Sequence, residues 1–386
     1  MRTASKRGVA KLLAVIAACL LAAGLALAVT GCTSGEATPT EGTGGSDTPA
    51  ESTEPEAAET RTFTDSVGRT VELPAQIDRI APSGHTANQV LLTIAPEKMV
   101  GLSQELSESQ QKYLGTSVDV ASLPVFGEIF GAKGDLNKEA VAAANPQVLI
   151  DTGEVKDGIA EDLDTLQEQL GIPCVFVETK LDDYGAAYEK LGELLGLEER
   201  GQELSDYCQN AYDEVTSVME GIPEDERTSV LYLLGEDGTN VIGKDTYQAQ
   251  VVDMFANNVA VLENASNKGT GSESSLEQIA LWNPEVIIFG YGSIYDTVAD
   301  EPAWDGIDAI DNGTYYEAPG EPYNWLNNPP TVNQVMGMQW LPRLLYPDKF
   351  DDTIADVTKS YYQTFYGYEL SDAELDELIG KAVPQE

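Results

Sequence analysis

A single histidine, His85, occurs among 386 residues. One imidazole excludes any centre that needs two or three, such as a His-rich zinc site. His85 follows Ile80-Ala81-Pro82-Ser83-Gly84, where a short apolar run gives way to a helical pattern. In an open α/β sheet that carboxyl end of a strand faces the ligand crevice, which makes Ser83 and His85 candidate contacts. An imidazole there serves either as a metal ligand or as a loop residue making a local hydrogen bond. A second group is aromatic: Tyr291, Tyr295, Trp304, Tyr323 and Trp325 lie near expected strand ends. Flat apolar faces with a polar handle suit a chelate or macrocycle, and the same residue types also fill cores. Lys133 and Lys244 are the candidate cationic contacts.

Several other chemistries are disfavoured. Residues 238–245, Gly-Thr-Asn-Val-Ile-Gly-Lys-Asp, nearly spell a phosphate loop. Asp245 replaces the hydroxyl residue that ligates magnesium there, and its charge repels phosphate. The segment reads instead as a turn between strands, with Lys244 near the crevice rim. Neither G-x-S-x-G nor HExxH occurs, so no catalytic cofactor or nucleophile is implied. A carboxylate-dependent hydrolase stays open, because Asp and Glu number 65. Against 22 Lys and Arg they set a formal charge of −43. That balance argues against nucleic acid as a partner, since phosphate backbones need a basic surface. The four cysteines show no CxxC spacing. Cys174 lies in the apolar run 174–177 and Cys208 on a helical face, so both read as separate core residues, with a disulfide between them as the other reading.

The elements that must position these groups show an internal echo. Residues 139–150 read E-A-V-A-A-A-N-P-Q-V-L-I, and residues 277–288 read E-Q-I-A-L-W-N-P-E-V-I-I. In each copy apolar positions at helical spacing end at Asn-Pro, which disfavours further helix. A β-branched run follows, as in a buried parallel strand. Each run ends in a glycine-containing loop, Asp151-Thr152-Gly153 or Gly290-Tyr291-Gly292. Between the copies, Leu204, Tyr207, Cys208, Ala211, Val215, Val218 and Met219 share one helical face. The pattern predicts two Rossmann-like α/β lobes with mainly parallel sheets, 62–197 and 223–386. One long helix over 198–222 joins them, and the ligand cleft lies between the lobes.

The first 31 residues look like an export signal. Arg2, Lys6, Arg7 and Lys11 precede an apolar run from Leu12 to Val29, and Val29-Thr30-Gly31-Cys32 resembles the bacterial lipobox. An uncleaved anchor helix is the other reading, and both place the remainder outside the cytoplasmic membrane. Cleavage at Cys32 removes four cations and leaves 18 against 65 acids, or −47. Residues 33–61 hold no large apolar side chain, so 32–61 read as a disordered acidic tether. As a flexible coil it spans about 30 Å r.m.s..

Lipobox, acidic tether, paired lobes and one joining helix together resemble the class III substrate-binding lipoproteins of ABC importers. Further matching pieces are Phe63–Pro74, Ile77–Pro82, Met99–Ser103, Trp325–Asn333, Trp340-Leu341 and Leu345–Pro347. The resemblance covers essentially all of 62–368. It implies a non-enzymatic monomer, held on the extracytoplasmic face of the cell membrane by lipid on Cys32. It implies partnership with an ABC permease and its ATPase. The cargo implied is an iron or cobalt chelate: iron–siderophore first, then haem or corrinoid. A molybdate or tungstate binder is the oxyanion alternative; relatives often carry Arg where this chain has Asn328. In the family's vitamin B12 binders one glutamate per lobe docks on the permease, seven residues before the repeated proline. Here those positions are Glu139 and Glu277. The alternative is a pair of ordinary helix-start glutamates favoured by the dipole.

Overall fold

The computed structural model describes residues 59–114, 118–129 and 134–385. The expected signal, Cys32, nearly all of the tether and Lys133 lie outside these residues. The body opens with β1 (Thr60–Thr64) and β2 (Thr70–Pro74), an antiparallel hairpin. The first lobe then runs β3 (Ile80–Pro82), α1 (His85–Ile94), α2 (Glu108–Leu114), α3 (Lys138–Ala144), β4 (Val148–Gly153), α4 (Ile159–Leu170), β5 (Cys174–Glu178) and α5 (Tyr184–Leu195). The long helix α6 (Glu198–Glu220) follows. The second lobe runs β6 (Ser229–Leu234), β7 (Asn240–Val241), α7 (Gln250–Phe255), β8 (Asn257–Asn258), β9 (Ser272–Glu273), α8 (Leu276–Trp282), β10 (Val286–Phe289), α9 (Asp308–Asp311) and β11 (Tyr315–Glu317). Helices α10 (Asn333–Leu345), α11 (Ile354–Tyr366) and α12 (Asp372–Ile379) complete the chain.

Both sheets follow from the apolar runs. β3, β4 and β5 pair in parallel, with Ile80 opposite Val148 and Leu149 opposite Cys174. In the second sheet β6, β10 and β11 are parallel, with Tyr232, Ile288 and Tyr316 in one row. The sheet is mixed beyond β6, because β7 and β9 join it antiparallel. Side chains alternate between two cores, which explains why the central stretches of β4, β5, β6 and β10 are apolar at consecutive positions. Val230, Tyr232, Val286 and Ile288 enter the large core, whereas Leu231, Leu233, Ile287 and Phe289 fill a smaller one on the other face. Val175 and Val177 likewise face the large core, while Cys174 and Phe176 turn to a third. Cys174 and Cys208 are both buried and unbridged.

The large core is continuous from Phe63 to Ala382 and runs through α6. Helices α5 and α6 pack at backbone distance because glycines meet. A Cβ on Gly201 would lie 2.7 Å from the Tyr188 carbonyl oxygen and 2.9 Å from Gly192 Cα. Buried Arg343 on α10 reaches Glu214 on α6 at 2.9 Å and Asp352 at 2.7 Å. The final helices return to the first lobe: the Tyr113 ring meets Tyr362 and Tyr368 edge-on at 5.3 and 5.0 Å. The lobes thus share side chains well beyond α6, and a shared core of this kind resists hinge bending.

The internal echo has a structural counterpart. α3 is capped by the Asn137 side chain and α8 by Ser275, each accepting an N–H three residues on. Both helices end at an asparagine in the left-handed region, Asn145 at φ 51° and Asn283 at φ 38°. Asparagine tolerates that conformation, and the following proline prevents a further helical turn. The strands that follow, β4 and β10, start at matching positions.

Candidate functional site

Strand ends from both lobes converge on one cleft. β3 passes through Ser83 and Gly84 into α1, and β4 ends at Asp151-Thr152-Gly153. These segments line a cavity of about 820 Å³, to which the second lobe contributes Tyr247 and Pro329. A neighbouring cavity of about 690 Å³ is lined by the loops after β6 and β10, by the segment 320–329 and by Gln89 of α1. His85, Gln104 and Pro329 border both, so the two form one groove between the lobes.

His85 stands at its centre. Nδ1 lies 3.0 Å from Ser103 Oγ, and Nε2 lies 3.2 Å from Glu128 Oε2. Both ring nitrogens therefore already meet protein groups, and a metal ligated here would displace one of them. Among the described residues no three His, Cys, Asp or Glu side chains gather in a metal-binding group. Ser83, 2% exposed, donates through Oγ to Asp151 Oδ1. Burial pushes the Asp151 carboxyl up to about 6, against the opposing pull of the Ser83 hydroxyl and Lys156. Thr86 Oγ1 donates to the Thr152 carbonyl at 3.0 Å and ties the start of α1 to β4.

The other expected contacts divide. Tyr291 is 59% exposed and lines the second-lobe cavity, its hydroxyl 3.3 Å from Glu321 Oε1. Gly320 makes this possible: a Cβ there would sit 2.3 Å from Tyr291 Cγ. Tyr323 lines the same cavity from a buried position. Trp304, Trp325, Tyr295 and Lys244 do not border the cleft. Trp304 packs edge-on against Phe289 at 5.7 Å, and Trp325 against Trp340 at 6.0 Å, each almost wholly buried. Tyr295 lies against Tyr315 at 5.4 Å, with Lys381 over its ring. Large apolar rings gain most by leaving water, and here the cores took them. Lys244 follows β7, half-buried, its N–H on the Ala260 carbonyl at 2.9 Å. The phosphate-loop lookalike is thus a strand and its exit turn, with Asp245 at φ 62°.

Residues that the sequence reading passed over line the groove instead: Gln89, Gln104, Thr152, Glu154, Lys156 and Asn324. Two signals pointed to some of them. Gln89 lies one helical turn after His85, and Asp151-Thr152 directly follows a buried parallel strand. Glu139 and Glu277 are exposed, each the second residue of its helix. Backbone N–H and the Ser275 hydroxyl hold the Glu277 carboxyl below its ordinary range.

The Periplasmic binding protein family model matches residues 127–322. No curated protein matches the chain. Among solved structures, an ABC transporter solute binding protein from Sulfurospirillum deleyianum is 30% identical, with a TM-score of 0.74. That match covers 83% of this chain and 99% of the other. A periplasmic solute binding protein from Veillonella parvula is 25% identical over 84% of this chain and 98% of its own, with a TM-score of 0.69. The molybdate periplasmic binding protein of Haemophilus influenzae, 21% identical over 81% and 99% with a TM-score of 0.61, shares the fold. Matched over residues 127–322 by the family model and over 83% of its length by a whole solute-binding chain at 30% identity, the protein belongs to the class III periplasmic binding proteins of ABC transporters.

Proposed function

We propose that this chain is the lipid-anchored capture subunit of an ABC importer, held by Cys32 on the extracytoplasmic face and carrying a metal chelate to a permease and its ATPase. The observation that carries the reading is the groove between the lobes. Its two cavities, about 820 and 690 Å³, have the size of drug-like ligand sites and far exceed a bare ion. The wall that meets the cargo is built from Tyr247, Tyr291 and Tyr323 with amides and hydroxyls, not from tryptophan. Iron–siderophore cargo fits best, ahead of haem or corrinoid, because a polar wall suits a ligand with polar edges. An oxyanion is less suitable. Asn328 brings no guanidinium fork, and Lys156 is the one Lys or Arg among the described lining residues.

Native mass spectrometry of protein purified from its own host tests this reading. The expected result is a retained small molecule carrying iron or cobalt. Retention of molybdate, tungstate or a bare divalent ion, with none of the chelates binding in calorimetry, overturns it. The hydrolase alternative draws on Asp151, a protonatable carboxyl in the groove. Turnover of glycosides or esters by the pure protein would select it.

A further inference from the structure

Buried polar atoms in folded proteins are nearly all paired, because an unpaired one has given up its bonds to water without replacement. Among the described residues six buried side-chain atoms have no hydrogen-bond partner. Three of them belong to residues of the groove: Gln89 Oε1, Thr152 Oγ1 and Tyr323 Oη. Half of the unpaired atoms thus fall at the one place where an incoming ligand could pair them. Gln89 is 2% exposed and Tyr323 7% exposed, yet both border the same cavity. Gln89 comes from α1, one turn after His85, and Tyr323 comes from the segment after β11, more than 200 residues on in the chain. The neighbouring Asn88 amide gives its oxygen to the Ser103 N–H at 3.1 Å and lies beside the Tyr323 hydroxyl without closing a hydrogen bond of full geometry.

We propose that Gln89 Oε1 and Tyr323 Oη form a paired hydrogen-bonding seat, one half from α1 and one from the segment after β11, for an uncharged donor-bearing group of the cargo. The chemistry follows from the atoms. An amide oxygen only accepts, so the cargo must present N–H or O–H to Gln89. A phenol both donates and accepts, so an amide or hydroxyl edge satisfies both residues at once. The charge follows from the walls. Among the described residues this cavity holds Glu236 and neither Lys nor Arg. The adjoining cavity sets Glu105, Glu128, Asp135, Asp151 and Glu154 against Lys156. An anionic chelate would be repelled here, whereas a neutral one with free amide N–H or hydroxyl edges pairs the waiting atoms. The inference rests on the chelate reading above and narrows it to neutral chelates.

The test uses purified wild type, Gln89→Leu and Tyr323→Phe, with two probes of the same metal: an uncharged ferric trihydroxamate whose backbone bears free amide N–H groups, and a trianionic ferric tris-catecholate. The expected result is binding of the trihydroxamate by wild type, weakened about tenfold in each variant. In the same variants the Tm of the unliganded protein should stay level or rise, because an unpaired buried polar atom has been removed. Merely structural residues would move Tm the other way. Equal affinity in wild type and variants overturns the seat, as does preference for the tris-catecholate. If neither probe binds, the chelate reading fails instead. The Tm comparison then still decides the seat, since a fall in both variants means that the two atoms were paired all along.

Discussion

The Gln250 side chain on α7 donates to Glu154 Oε1, just beyond β4, at 2.7 Å. This bond joins the two lobes beside the groove and is independent of the shared core. Gln250→Ala removes the donor and leaves Glu154 free to meet water. Cargo exchange is expected to quicken in both directions, with the equilibrium affinity changing less than tenfold. The cost to stability should be on the order of 1 kcal/mol. Stopped-flow rates with the cargo recovered from the host measure this, and unchanged exchange would show that the bond does not gate the groove.

Glu139 and Glu277 are exposed at equivalent helix positions. Glu139→Arg and Glu277→Arg are each expected to depress uptake at least tenfold in cells while leaving cargo affinity intact. Reversal is more informative than removal, because like charges in contact are actively unfavourable. Normal transport by both variants would assign the two residues to ordinary helix-start stabilisation.

Asp151 makes stability depend on pH in a stated direction. Burial raises its pKa to about 6, so the folded chain holds this proton more tightly than the unfolded one. Stability is therefore lost as pH rises from about 4 to 6, and the full penalty persists above that range. Asp151→Asn keeps an acceptor for Ser83 without the charge. It should stabilise the protein by on the order of 3 kcal/mol at pH 7.5 and by almost nothing at pH 4. Denaturant melts at the two pH values measure the difference, and an equal effect at both would refute the assignment.

Trp325 and Tyr291 should behave oppositely. Trp325 is buried against Trp340, so Trp325→Ala is expected to cost about 3–5 kcal/mol of stability. Tyr291 is exposed in the groove, so Tyr291→Ala should leave Tm nearly unchanged and weaken cargo binding. Tryptophan fluorescence should respond little to cargo, since Trp304 and Trp325 are both sealed in cores. Strong quenching on binding would return those rings to the cleft wall.

The repeated helix–strand unit was legible in the sequence because its signals are local. Asn145-Pro146 and Asn283-Pro284 end a helix by backbone sterics alone, and the runs after them are apolar at each position. The same holds for α6, whose buried face follows from 3.6-residue spacing. The aromatic wall was not legible. Trp304 lies between β10 and β11, and Tyr323 and Trp325 follow β11, all in loop segments of similar composition, and nothing local says which ring faces the groove.

By itself the sequence determined the lobes, their order, the joining helix and the convergence of strand ends on a groove. Those features arise from periodicity and from residues that stop helices, which act within a few positions of the chain. Only the tertiary structure decided what the groove is made of. Gln89, Thr152 and Asn324 are unremarkable polar residues until folding carries them to one surface, while Trp304 and Trp325 are drawn into cores. That selection depends on packing between segments more than 200 residues apart, as where Gln110 Nε2 donates to the Pro322 carbonyl at 3.1 Å, and local spacing records only part of it.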